Sequence, residues 1–396
     1  QGERHTVGLE PTKEAKEAVL ETVSRTYPKT RVPRGLTGAA STITREDVAR
    51  ILPFLKRSSS PGLPWAALAK SKGELCDAHA ELLISAVMSR LSLLATLDTT
   101  NGGQFEDPVL LVRGGFCDPV RLFVKNEPHS LEKANEGRWR LISSVSVVDE
   151  IIERLLAGTQ NEKEIDLWVD CPSKPGLGMS LDAQAQLLFA SVKPHLPSAA
   201  EADVSGWDWS VKWWMLEMDV DARVRLCGAK PDSAFATLMR ARMWCLARSV
   251  FSTSGGKLYK QHVPGVMKSG SYLTSSTNSR MRVMLAHLVG APWAIAMGDD
   301  SLETWTPGAV EAYKAFGIKV KMFKRCGDSF EFCSHQFVGD RAVPLNWAKG
   351  LFRLLCAVPS MGRYIEFREE FRHSPELSRC VDVVDRAWRG LGKHDH

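Results

Sequence analysis

Trp293-Ala-Ile-Ala-Met297 runs straight into Gly298-Asp299-Asp300, and Ser301-Leu-Glu-Thr-Trp305 leads away from it. An apolar run ending in a glycine and two acids predicts a strand, a tight turn and a return strand, because glycine tolerates the turn backbone. Two adjacent carboxylates at the tip of a buried hairpin repel each other and lose hydration, which is costly unless something positive sits there. A divalent ion such as magnesium, which takes carboxylate oxygens, resolves that repulsion. Alone, the Gly-Asp-Asp string is a weak signal, since it also occurs in ordinary surface turns.

Two upstream stretches change its weight. In Asp203-Val-Ser-Gly-Trp-Asp208, Asp203 ends a short strand that could pair with the hairpin. Pairing would gather Asp203, Asp299 and Asp300 around a two-ion site, where one ion activates an attacking hydroxyl and the other steadies the leaving oxygens. By itself the stretch reads as a loop with solvated aspartates. Ser269-Gly270-Ser-Tyr-Leu-Thr274-Ser-Ser-Thr-Asn278 then opens a helix running to about Leu288. Thr274 and Asn278 fall on one helical face. A hydroxyl and an amide so aligned can read a ribose, because only a sugar with a 2′-hydroxyl satisfies such buried polar groups. Without its companions this stretch would pass as a Ser/Thr-rich amphipathic helix.

Further motifs flank these. Lys125-Asn-Glu127-Pro128, with Lys133, Arg138 and Arg140, is a basic run after the strand Val120 to Val124. Composition alone suits a solvated basic loop. Ser58-Ser59-Ser60-Pro61-Gly62-Leu63-Pro64-Trp65 is a stiff, turn-rich segment in which Gly62 would let backbone approach a phosphate closely. Downstream lie Phe316-Gly317-Ile-Lys319-Val-Lys321 and Phe332-Cys333-Ser334-His335.

In the order D-x-x-x-x-D, S-G-x-x-x-T-x-x-x-N, G-D-D, these motifs resemble the palm signature of positive-strand RNA virus RNA-dependent RNA polymerases. F-V-K-N-E-P-H, G-R-W-R-L-I-S-S-V-S, S-S-P-G-L-P-W and F-C-S-H-x-F resemble those of sobemo-, polero- and enamoviruses, over about Ser58 to Phe337. The resemblance implies an α/β (α+β) right hand of fingers, palm and thumb, with an antiparallel palm sheet backed by helices. Fingers with an N-terminal extension would span 1–195 (palm near 145–195), the palm 196–340 with a fingers insertion near 225–265, and a small thumb 341–396. It implies transfer of nucleotides from NTPs to an RNA 3′-hydroxyl, with release of pyrophosphate, in replication and transcription of the viral genome. It implies two magnesium ions, replaceable by manganese, held by Asp203 and Asp299 with Asp300 in support. Asp208, Thr274 and Asn278 would sense the ribose. Ser269 and Gly270 would lie in a mobile loop, and Lys125, Arg138 and Arg140 would face the triphosphate. Ser60, Gly62, Pro64, Lys133, Cys333 and Ser334 would follow the RNA. Lys321, Lys324 and Arg325 are all candidates for the proton donor, with Lys321 assigned to the site. Phe332-Cys333-Ser334-His335 resembles the hairpin that supports the primer strand, and His335 reads as structural. Implied partners are template and product RNA, NTPs, a genome-linked protein (VPg) and other viral replication proteins, in membrane-associated replication complexes of the host cytoplasm. Two other readings are a reverse transcriptase and a non-catalytic RNA-binding replication protein with a decayed palm.

Composition is compatible with this. The 396 residues exceed what one core usually holds, and a net charge of only +5 means that any nucleic-acid surface must come from local clusters. Nine scattered cysteines without a C-x-x-C suit a reducing compartment. No signal peptide is visible, the opening Gln1 suggests a processed product, and the apolar stretch Leu82 to Leu97 is broken by Arg90, so no membrane span is expected. Helices are also expected over Glu10 to Val23, Val147 to Leu156, Ser210 to Leu226 and Ala309 to Phe316, with turns at Asn101 to Gly103 and Arg113 to Asp118. Ile318 to Met322 and Phe330 to Phe337 read as extended, and the chain beyond Pro344 as helical.

Overall fold

Eleven strands are described: β1 (Val120–Val124), β2 (Leu141–Ser144), β3 (Ala199–Val204), β4 (Val250–Thr253), β5 (Leu258–Lys260), β6 (Ala294–Met297), β7 (Asp300–Thr304), β8 (Val320–Arg325), β9 (Ser329–Phe332), β10 (His335–Val338) and β11 (Arg341–Pro344). The computed structural model describes residues 5–100, 105–179 and 181–391; the turn expected at Asn101 to Gly103 lies outside them. The strands form three sheets, β6-β7-β3-β8, β2-β1-β4-β5 and β11-β10-β9.

The first sheet is antiparallel throughout, with β3 in its middle. Its strands are rich in small residues, and Ala199, Ala200, Ala202, Ala294 and Ala296 are all buried. Small side chains let a helix lie close, and Thr274–Leu288 packs on β6. Trp213–Leu226 and Lys13–Thr26 pack on that helix in turn. The N-terminal helix, expected to extend the fingers, thus rests on the helices behind the first sheet. In the second sheet, β4 from the expected insertion runs parallel to β1 and carries β5 as an antiparallel edge. Strands distant in sequence therefore build one sheet.

The helix Thr274–Leu288 is buried nearly all round, yet it carries Arg280 and Arg282, both 0% exposed. Buried guanidinium groups require paired partners. Arg280 bonds Asp219 at 2.6 Å and also Glu164. Arg223 lies 2.9 Å from the same Asp219 and donates to Ser276 at 2.7 Å and Thr277 at 3.1 Å. Arg282 donates to Tyr313 at 2.7 Å and lies 3.2 Å from Glu303 on β7. Burial works against the charge of Asp219, but Arg223 and Arg280 outweigh it and hold the carboxyl below its ordinary range. These bonds set the rotation of the helix about its axis.

One expectation changes in detail. The helix placed at Leu82 to Leu97 starts at Lys72, ends at Leu94 and has a non-helical residue at His79. The hairpin expected at Phe332-Cys333-Ser334-His335 is present, folded at Cys333 and Ser334, whose φ values are +51° and +60°. Both turn positions of such a two-residue hairpin require that left-handed backbone, and here neither is glycine. The last three helices, Trp347–Leu355, Met361–Glu370 and Leu377–Leu391, close their own core around Leu354, Phe367, Phe371 and Val384. Among the described residues no helix is long and apolar enough to cross a membrane.

Arg280→Ala strips Asp219 and Glu164 of a buried partner. It is expected to cost about 3–5 kcal/mol in urea-induced unfolding; an unshifted midpoint would refute the locking role given to this network.

Candidate active site

Met297 pairs with Asp300, so Gly298 and Asp299 form the whole turn between β6 and β7. Gly298 has φ +64°, as the first position of a primed turn requires. Its N–H donates to Ser279 Oγ at 2.9 Å, which ties the turn to the helix behind the sheet. Ala202 pairs with Ser301, so the next residues toward the turn, Asp203 and Asp300, are neighbours across β3 and β7. The three carboxylates therefore meet at one end of the sheet. Burial, then the charges of Asp299 and Asp203, push the Asp300 carboxyl up to about 6.

A register shift on the other side of β3 selects among the basic candidates. Asp203 pairs with Met322 while Val204 pairs with Val320, which leaves Lys321 as the extra residue of a bulge. Its ammonium lies 2.7 Å from Asp203 Oδ2. Lys324 instead pairs along the strand with Glu201, and Arg325 stacks over Trp305 at 3.9 Å. Among the described residues no three acidic, His or Cys side chains are gathered closely enough to hold a metal as they stand. The chemistry of the donors nonetheless fits one: the carboxylates are hard oxygen ligands, and Asp300 is pushed toward protonation by like charge that a cation would relieve.

Asn278 Nδ2 donates to Asp208 Oδ1 at 2.8 Å. Its own Oδ1 is buried without a hydrogen-bond partner. An orphaned buried acceptor is costly, and a ligand hydroxyl would satisfy it. Burial raises the Asp208 carboxyl to about 6; the Asn278 bond and the Arg140 charge act against this, while Asp299 adds to it. Thr274 sits apart from the pair: its hydroxyl lies 2.6 Å from Lys268 O and 2.9 Å from Ser271 O, where it braces the loop. That loop is docked on β2, with Gly270 N donating to Ser143 O at 3.0 Å and Ser143 N to Ser269 Oγ at 3.0 Å.

The basic run centres on Glu127. Its carboxylate lies 3.2 Å from Lys125 and 2.8 Å from Arg140, and also 3.0 Å from Lys349 and 3.5 Å from Arg353. Arg138 pairs with Glu132 and Glu136, away from that cluster, and Lys133 is exposed. Gly62 does make a close approach, but to protein: a Cβ there would lie 2.9 Å from the Ser146 backbone. Ser60 Oγ accepts from Gly62 N, Pro64 is exposed, and the Leu63–Pro64 peptide is cis. Burial, then Asp300 and Asp299, raise the Cys333 thiol, so the Cys333-Ser334 turn stands beside the acidic turn.

Comparison with known proteins agrees with this arrangement. The profile of a family described as viral RNA-directed RNA-polymerase matches residues 18–353. The chain belongs to that family. It is 48% identical over 341 residues to the replicase polyprotein P2AB of Southern bean mosaic virus, covering 83% of this chain and 34% of that protein. It is 39% identical to protein P1-P2 of Potato leafroll virus, over 93% of this chain and 37% of that one. With the RNA-directed RNA polymerase of Mushroom bacilliform virus it shares 38% identity over 80% of this chain and 79% of the relative. The chain thus spans about a third of the length of the polyproteins it matches. Among solved structures, a sicinivirus 3Dpol RNA-dependent RNA polymerase superposes with a TM-score of 0.65 at 13% identity, covering 95% of this chain and 82% of that one. The fold is the right-hand polymerase fold.

Sequence reasoning about this chain missed Ser279, Lys349 and Arg353. Ser279 directly follows Asn278, but nothing local marks it as the anchor of a turn nineteen residues on. Lys349 and Arg353 share a helical face by their spacing, a signal that most surface helices also carry. Gly270→Ala would set a Cβ 2.6 Å from Ser143 O. Faster amide exchange over 268–274 is expected by hydrogen–deuterium mass spectrometry; unchanged protection would show that the loop is held by other means.

Proposed function

We propose that this chain catalyses RNA-templated RNA synthesis, joining ribonucleotides to an RNA 3′-hydroxyl and releasing pyrophosphate. The observation that carries the reading is the meeting of Asp203, Asp299 and Asp300 at one sheet end, with the Asp208–Asn278 pair beside them. The metal we propose is magnesium, replaceable by manganese, on Asp203 and Asp299 with Asp300 in support. Bound there, it supplies charge that acidifies the attacking hydroxyl and neutralises the leaving oxygens.

The protein's own groups do the rest. Asn278 Oδ1 accepts the hydrogen of the ribose 2′-hydroxyl, while Asp208 fixes the amide through its other end. A 2′-deoxy sugar leaves that acceptor unpaired and is rejected for this reason. Arg140 and Lys125 hold the triphosphate, and Arg140 lies near enough for its charge to act on Asp208. Lys321 is the donor we assign to the leaving pyrophosphate, since the bulge aims its ammonium at Asp203. Ser60, Gly62, Pro64, Lys133, Cys333 and Ser334 lie along the proposed RNA path, with fingers, palm and thumb bounded near residues 195 and 340. We further propose that it replicates and transcribes a positive-strand genome in membrane-associated complexes of the host cytoplasm. Its partners there would be other proteins of the same polyprotein, a genome-linked protein among them, a reading supported by the relatives' polyprotein form.

Purified chain with a primed RNA template and magnesium is expected to extend the primer, and chelation with EDTA to stop it. Asp299→Asn should reduce extension to background; a variant as active as the parent would remove the carboxylates from catalysis. Asn278→Ala should relax discrimination against 2′-deoxynucleotides by about tenfold, the worth of one buried hydrogen bond. Unchanged ribose preference in paired ribo- and deoxyribonucleotide assays would end the sugar-reading role.

A further inference from the structure

Glu127 is one carboxylate among four cations. Lys125 and Arg140 come from the fingers side, and Lys349 and Arg353 come from the helix Trp347–Leu355, more than two hundred residues on. The Glu127 side chain is only 2% exposed, whereas Arg140 and Arg353 are each 59% exposed. Burial opposes its charge, yet the bonds from Lys349 and Lys125 and the charge of Arg140 hold the carboxyl down at about 2. A tie between two lobes needs one or two cations on a carboxylate. Four leave a surplus of positive charge whose heads reach solvent, where it attracts an anion.

The place is also right for a phosphate. Lys349 and Arg353 line a cavity of about 560 Å³ that Arg363, Ser334 and Cys333 also border, with Glu366 and Glu370 as its acids. Cys333 feels the charges of Asp300 and Asp299, and Arg140 acts on Asp208. Arg140 therefore stands near the Asp208–Asn278 pair, and the cavity lined by Lys349 and Arg353 borders the Cys333-Ser334 turn beside the acidic residues.

We propose that Lys349 and Arg353 form, with Lys125 and Arg140, one phosphate-binding cluster that Glu127 positions. The inference rests on the polymerase reading above and extends it to the C-terminal helices. The phosphate comes either from the nucleotide's triphosphate or from the RNA backbone. Glu127 keeps the four cations converged before the anion arrives, so that no side chain must be reordered when it binds.

The test uses the full chain, parent and Lys349→Ala/Arg353→Ala double variant, with NTPs on a preformed primer–template. A rise in KM for NTP of about tenfold, with kcat nearly unchanged, assigns the cluster to the triphosphate. Unchanged KM, with the slope of log Kd for RNA against log salt reduced by about two, assigns it to the RNA backbone. The charge-conserving Lys349→Arg/Arg353→Lys pair should restore either property. Glu127→Gln keeps the shape but removes the charge, and should lower kcat while phosphate affinity is kept or gained. If the double variant matches the parent in both KM and salt slope, or if Glu127→Gln changes only thermal stability, the cluster is a strut and the inference is overturned. A parent chain that extends no primer would instead defeat the polymerase reading itself.

Discussion

Crowded negative charge is the constraint on which this structure turns. Asp203, Asp299 and Asp300 are brought to one end of a sheet by strand pairing, and burial with the charges of Asp299 and Asp203 pushes the Asp300 carboxyl up to about 6. Such a site persists only if the backbone around it is over-determined. Here the turn is held by Gly298 in a left-handed conformation and by the Ser279 hydroxyl, and Asp203 is met by a lysine that a bulge turns toward it. Each device lies outside the acidic triad and exists to keep like charges where a cation can use them.

A second charged system, wholly buried, orients the site. Arg223, Arg280, Asp219 and Glu164 form a closed network behind the helix Thr274–Leu288, and Arg282 ties the same helix to Glu303 on β7. Hydrophobic contacts alone would let such a helix rotate by a few degrees at small cost, because they are not directional. Hydrogen-bonded guanidinium groups do not allow this. The angular position of Asn278 opposite Asp208, and of Ser279 beneath the turn, follows from that lock.

The third system joins distant parts of the chain through Glu127. The loop between strands β1 and β2 and the C-terminal helix Trp347–Leu355 meet at a single carboxylate. Together with the loop docked from Gly270 onto Ser143, this ties together parts of the chain that have separate cores.

Much of this was legible in the sequence, and for one reason: the motifs are short, and their chemistry is carried by spacing within a few residues. Asp203 to Asp208, Ser269 to Asn278 and Gly298 to Asp300 could be read as a strand end, a helical face and a hairpin tip, and the structure has them so. What depended on partners far along the chain could not be read. The choice of Lys321 over Lys324 needed the β3–β8 register, and the reason for Gly62 needed the Ser146 backbone. The turning of Thr274 toward the loop and the arrival of Lys349 and Arg353 at Glu127 were likewise decided in three dimensions. The sequence by itself determined which chemical groups are present and how they repeat locally. Only the tertiary structure decided which of them meet, because contact energies between residues a hundred apart depend on packing and register that local spacing does not encode.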